Sequence, residues 1–339
     1  MISTQTDNSA PSGTITWMPM DDGLELSLRR WKTTSNPRAI VHIVHGMGEH
    51  SLRYANLAKL LNEKRIEVWA ADQRGHGETA KNPRNEKGKG GLLGHCHDED
   101  GLNRVTLDID TLNRAIKSEY PGVPVFLLGH SWGSFIAQNY IEKYEAGFVA
   151  NNSSNNEKIG GLSGCILSGT RGPDGIKIAT GAPFLSMLAS FRGSQSKSRF
   201  AKALVDGSYN KAFKPNRTEF DWLSRDENVV NSYIADPLCG FLCSLGFYRD
   251  MALALKKIHL SESMANIRKD LPIYIFSGSA DPVGDFGESP AALVVAYRHL
   301  GIKDLESVFY PDARHETLNE TNRSEVQESL LSWILRHCA

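Results

Sequence analysis

The run Val123-Pro124-Val125-Phe126-Leu127-Leu128, followed directly by Gly129-His130-Ser131-Trp132-Gly133, decides how the rest of the chain is read. An unbroken apolar run of this length predicts a strand buried on both faces. The segment from Ser134 to Tyr144 has a helical pattern, so the residues between form a strand-to-helix turn. Gly-x-Ser-x-Gly at such a turn is a nucleophile elbow. Two residues without a Cβ let the chain turn tightly and leave the Ser131 hydroxyl clear of the sheet.

A serine hydroxyl needs a base to take its proton, and the base needs an acid to fix its tautomer. After an elbow these follow in the order serine, acid, histidine. The apolar runs Leu271–Gly278 and Leu305–Tyr310 predict two further strands. The first leads into Ser279-Ala280-Asp281-Pro282-Val283, the second into Pro311-Asp312-Ala313-Arg314-His315-Glu316. Carboxyl ends of parallel strands gather on one edge of a sheet, so Asp281 and His315 are placed beside Ser131 as acid and base. Asp270 precedes its strand and belongs to the opposite edge. Asp312, three residues before His315, is read as a turn residue.

Acyl transfer also needs two backbone N–H donors for the developing oxyanion. One is expected from Trp132, the residue after the serine. The other is expected from the loop after the early strand Ala39–Val44, which reads His45-Gly46-Met47-Gly48-Glu49-His50, with Met47 as donor.

Taken together, His45-Gly46-Met47-Gly48-Glu49-His50-Ser51-Leu52-Arg53-Tyr54, Asp72-Gln73-Arg74-Gly75-His76-Gly77, the elbow, Ser224-Arg225-Asp226, Ala235-Asp236-Pro237, Gly278-Ser279-Ala280-Asp281 and Arg314-His315-Glu316 resemble, in matching order, the monoacylglycerol lipase and lysophospholipase-like serine hydrolases. The resemblance implies an α/β-hydrolase fold: a mostly parallel eight-stranded sheet flanked by helices, with an inserted helical lid. It implies the triad Ser131, Asp281 and His315, the oxyanion donors Met47 and Trp132, and no cofactor. The implied reaction is cleavage of single-chain acyl esters of glycerol or glycerophospholipid through an acyl-enzyme. Trp132 stands where the family more often has Met, Ser134 where it often has Gly, and Leu318 near a position that is polar in some members. The same machinery also serves small esters, thioesters, aminoacyl amides and C–C bonds, and the fold does not select among them.

Composition narrows the class. The 339 residues carry 38 basic and 39 acidic side chains, a formal net charge of −1. Nothing in this balance favours nucleic acid. The basic stretch from Lys81 to Lys89 is broken by Gly and Asn and reads as a solvated loop. Five cysteines form no disulfide framework and suit a reducing cytoplasm. His95-Cys96-His97 lacks a second ligand cluster, so no metal is expected. Residues 1–13 are polar and read as a disordered tail without a signal peptide, and no run reaches the roughly 20 apolar residues of a spanning helix. The expectation is a soluble protein, peripheral to membranes at most. Its oligomeric state is not specified.

Strand and helix alternate along residues 14–171 and 260–339, after a hairpin around Asp21-Asp22-Gly23. Asn151 to Lys158 reads as a polar insertion, and the last helix, Glu325–His337, carries a Ser324/Gln327 capping box. Between the strand near Cys165 and that at Leu271 the chain is too long for one crossover, so residues 172–259 are read as a lid over the catalytic edge. Its apolar stretches place Phe184 and Leu238 as walls of an acyl tunnel, and a lipid substrate would bring the lid into transient contact with a membrane surface. Glu49 and Arg53, four apart, are either an exposed ion pair or part of a polar pocket for the alcohol.

Overall fold

A computed structural model describes residues 12–145, 161–173 and 182–338. Most of the predicted tail and the whole Asn151–Lys158 insertion lie outside the described residues. Eight strands make one sheet in the order β1-β2-β4-β3-β5-β6-β7-β8. They are β1 Thr14–Pro19, β2 Glu25–Trp31, β3 Ala39–Val44, β4 Ile66–Ala71, β5 Val125–His130, β6 Gly164–Ser168, β7 Ile273–Gly278 and β8 Leu305–Tyr310. The predicted hairpin supplies β1 and β2, which pair antiparallel to each other and, through β2, to β4. The pairings from β4 to β8 are all parallel.

Continuous apolar composition is what a sheet covered on both faces needs, and alternate residues of the central strands enter two separate cores. Val125 and Leu127 join a core with helices Gly101–Glu119, Trp132–Lys143 and Glu288–His299. Phe126 and Leu128 join one on the other face with helices Ala55–Glu63 and Arg323–Arg336. The last helix begins earlier than its sequence pattern predicts. Its N-cap is Asn322, without a side-chain cap, and Gln327 donates to Leu318 O at 3.0 Å. The Ser324/Gln327 box is therefore not formed, because Ser324 already lies inside the helix.

The chain crosses one way out of β3 and the other way out of β5, although these strands are neighbours. At such a switch point the two loops leave a crevice above the carboxyl ends. Val44 pairs with Gly129, which brings the loop after β3 against the elbow. Among the described residues, no helix is long and apolar enough to cross a membrane.

Candidate active site

The elbow is strained where the sequence predicts it. Ser131 has φ 53° and ψ −122°, a region L-residues rarely occupy. Close approach accounts for the two glycines. A Cβ on Gly129 would lie 2.4 Å from Gly133 O, and one on Gly133 would lie 2.0 Å from Val44 O. The Ser131 carbonyl accepts from Ser134 Oγ at 2.6 Å, and Ser131 N donates to Ser168 O at 2.9 Å. Ser134 thus braces the turn.

Pairing of Gly278 with Tyr310 at the ends of β7 and β8 brings Asp281 and His315 together. His315 Nδ1 lies 2.9 Å from Asp281 Oδ2, and both side chains are buried. The Asp281 carboxylate also accepts from Val283 N at 2.9 Å. His315 Nε2 is buried without a hydrogen-bond partner among the described residues. Ser131, His315, Met47 and Trp132 line one cavity. Burial alone would pull the His315 pKa down, but the charge and hydrogen bond of Asp281 outweigh it and hold the imidazole above its ordinary value. His130, whose ring centroid lies 4.8 Å from that of His315, is driven down to about 4 by burial and by His315, so it stays neutral.

The loop after β3 is held from both sides. His45 Nδ1 donates to Gly46 O at 2.8 Å, and Gln73 N donates to His45 Nε2 at 3.0 Å. Gly46 N and Tyr54 Oη donate to Glu49 Oε1, and Arg53 Nη1 reaches Glu49 Oε2 at 2.9 Å. Met47 N makes no hydrogen bond among the described residues and stays free to donate.

Four expectations change. Glu49 is buried and Arg53 mostly so, so they are not an exposed pair. Arg53 also bonds Glu316 and does not line the cavity, whereas Glu49 does. Phe184 and Leu238 are not in the cavity wall either. Helix Ala182–Arg192 buries Ala182, Leu185 and Ala189, and Phe184 falls on its outer face, its ring 5.9 Å from that of Phe200. The apolar wall is made instead by Phe135, Val205, Phe241, Tyr248, Met251 and Leu255.

Trp222 went unremarked in the sequence. It packs its ring at a tilt against His315, with centroids 5.2 Å apart, and its carbonyl accepts from His315 N at 3.3 Å. Glu316 N donates to Leu223 O at 2.8 Å, so part of the segment between β6 and β7 is stapled to the histidine loop. The neighbouring Ser224-Arg225-Asp226 was the signal: Arg225 N and Nε donate to Glu320, each at 2.9 Å. His95-Cys96-His97 does not converge on a common point. His95 Nδ1 meets Ser244 Oγ at 2.8 Å, and Cys96 Sγ donates to Arg74 O at 3.2 Å.

This sheet and this cleft define an α/β-hydrolase, and the chain is a carboxylic ester hydrolase of that fold. It belongs to the family described as "Serine aminopeptidase, S33" (Hydrolase_4), whose model matches residues 35–322. It is 27% identical to the monoacylglycerol lipase of Mycolicibacterium smegmatis over 321 residues, 93% of this chain and 94% of that one. It is 26% identical to the mouse monoglyceride lipase over 323 residues, 94% of this chain and 89% of that one. A carboxyl esterase from Bacillus coagulans, solved with glycerol, superposes with a TM-score of 0.84 at 28% identity, covering 96% of this chain and 99% of its own.

Proposed function

We propose that the chain hydrolyses carboxylic esters of single-chain lipids, monoacylglycerols or lysophospholipids, through an acyl-enzyme on Ser131. The observation that carries this reading is the buried Asp281–His315 pair, its free Nε2 in the same cavity as the strained serine. His315 Nε2 takes the Ser131 proton as Oγ attacks the acyl carbonyl. Asp281 holds the Nδ1–H tautomer and stabilises the imidazolium. The backbone N–H groups of Met47 and Trp132 receive the oxyanion. His315 then protonates the leaving alcohol, and a water activated by the same base releases the fatty acid. The long apolar wall suits an acyl chain, each buried CH₂ contributing about 0.8 kcal/mol. The named activities of the mycobacterial and mouse relatives support the lipid class.

The segment of residues 172–259 serves as the lid in this reading. Two of its helices, Ala182–Arg192 and Arg199–Val205, expose Phe184, Met187, Phe191, Phe200 and Leu204. The same stretch carries Arg192, Lys197 and Arg199, a combination suited to an anionic lipid surface from which substrate is collected. The experiment is labelling by a fluorophosphonate, then hydrolysis of a lipid-ester panel. Ser131→Ala abolishes both. Turnover that survives this change removes the nucleophile assignment, and labelling without lipid-ester turnover removes the substrate class.

A further inference from the structure

We propose that His50, Asp236 and Cys239 form a binding site for one borderline-soft divalent cation, of which Zn²⁺ is the best match, outside the catalytic cavity. One ligand atom from each residue lies within 4.8 Å of the other two, and this is the one such group among the described residues. His50 closes the loop after β3, while Asp236 and Cys239 are three apart on the segment that follows helix Glu227–Ala235. His50 and Cys239 are buried and Asp236 is partly open, which leaves a route for an ion and a place for a fourth, water ligand. None of the three lines the catalytic cavity.

The donor set is the argument for the ion. Imidazole, carboxylate and thiolate are the ligands of tetrahedral zinc, and a thiolate discriminates against Mg²⁺ and Ca²⁺. His50 Nε2 now lies 2.8 Å from Asp236 Oδ2. An ion takes the place of the proton between them. The neutral imidazole shifts its one proton from Nε2 to Nδ1, the carboxylate stays ionised, and the Cys239 thiol gives one proton to solvent. A dication with one carboxylate and one thiolate is neutral overall, so the site leaves no uncompensated charge. Arg53, whose charge reaches Asp236 and Cys239, is already balanced by Glu49 and Glu316. The bound ion would tie two segments that already touch: Gly240 N and Tyr233 Oη both donate to Gly48 O, at 2.9 and 2.8 Å. It therefore clamps the loop that carries Met47.

The test uses Co²⁺ as a spectroscopic probe on the reduced, metal-free, full-length chain. Expected is a thiolate-to-cobalt charge-transfer band that saturates at one ion per chain and is displaced by Zn²⁺. The band disappears in Cys239→Ala, and His50→Gln and Asp236→Asn each weaken binding at least tenfold. Thermal unfolding of each variant reports that it is folded. Absence of the band in the folded wild type overturns the proposal. So does a band that persists in Cys239→Ala, or affinity unchanged in both other variants.

Discussion

Arg53 grips Glu316 through two parallel hydrogen bonds, Nη1 to Oε1 at 2.6 Å and Nη2 to Oε2 at 2.7 Å, with Glu316 buried and Arg53 mostly so. Glu316 follows the candidate base, and Arg53 also holds Glu49, which receives Gly46 N. One guanidinium therefore links the histidine loop to the candidate oxyanion loop. Arg53→Met strands two buried carboxylates and is expected to cost roughly 3–5 kcal/mol in denaturant unfolding. Arg53→Lys keeps the charge but loses the fork, and recovers only part of this. Equal stability of wild type and Arg53→Met would show that the link contributes nothing.

The Asp281–His315 pair sets a pH dependence. The base works only when neutral, so kcat/KM rises as pH climbs through the His315 pKa. Asp281 raises that pKa, which places the acid limb above the ordinary imidazole value of about 6.5. In Asp281→Asn the main raising influence is gone, and burial acts against only the more distant charges of Glu316 and Glu49. The limb moves to lower pH, and kcat falls by about 10³–10⁴-fold. A pH–rate profile of both proteins checks the direction.

Glu142, buried in helix Trp132–Lys143, has an Oε1 without a partner among the described residues and a pKa pushed up to about 9 by burial. The folded state holds this proton across neutral pH, whereas the unfolded state releases it near 4.5. Below pH 4.5 both states carry it and nothing is lost. Above that, ionisation of the unfolded chain draws the equilibrium away from the fold until about pH 9. Glu142→Gln is therefore expected to raise Tm by a few degrees at pH 8 and to change it little at pH 4.5. Melting curves with the same shift at both values would contradict this.

Acyl-length selectivity should follow the cavity wall. Met251→Ala or Leu255→Ala lengthens the preferred chain in a p-nitrophenyl ester series from C2 to C16. Phe184→Ala, outside the wall, leaves the preference unchanged but weakens binding to anionic vesicles in co-sedimentation. The reverse pattern would return Phe184 to the tunnel.

Local patterns in the sequence determined the strands, the elbow and the order of the three candidate catalytic residues, because both-face burial and tight backbone approach restrict residue choice position by position. Asp281 over Asp270 follows from which end of a strand each occupies. The tertiary structure alone decided the rest. Spacing put Glu49 and Arg53 on one helical turn but could not reveal Glu316, 263 residues from Arg53 in the chain, which turns an ordinary surface pair into a buried bridge. Composition marked Phe184 as apolar but not which face of its helix meets the core. Trp222 reached His315 only through backbone pairing between two distant segments. Contacts of this kind depend on how elements dock, and docking is set by the summed burial of many residues rather than by any local run.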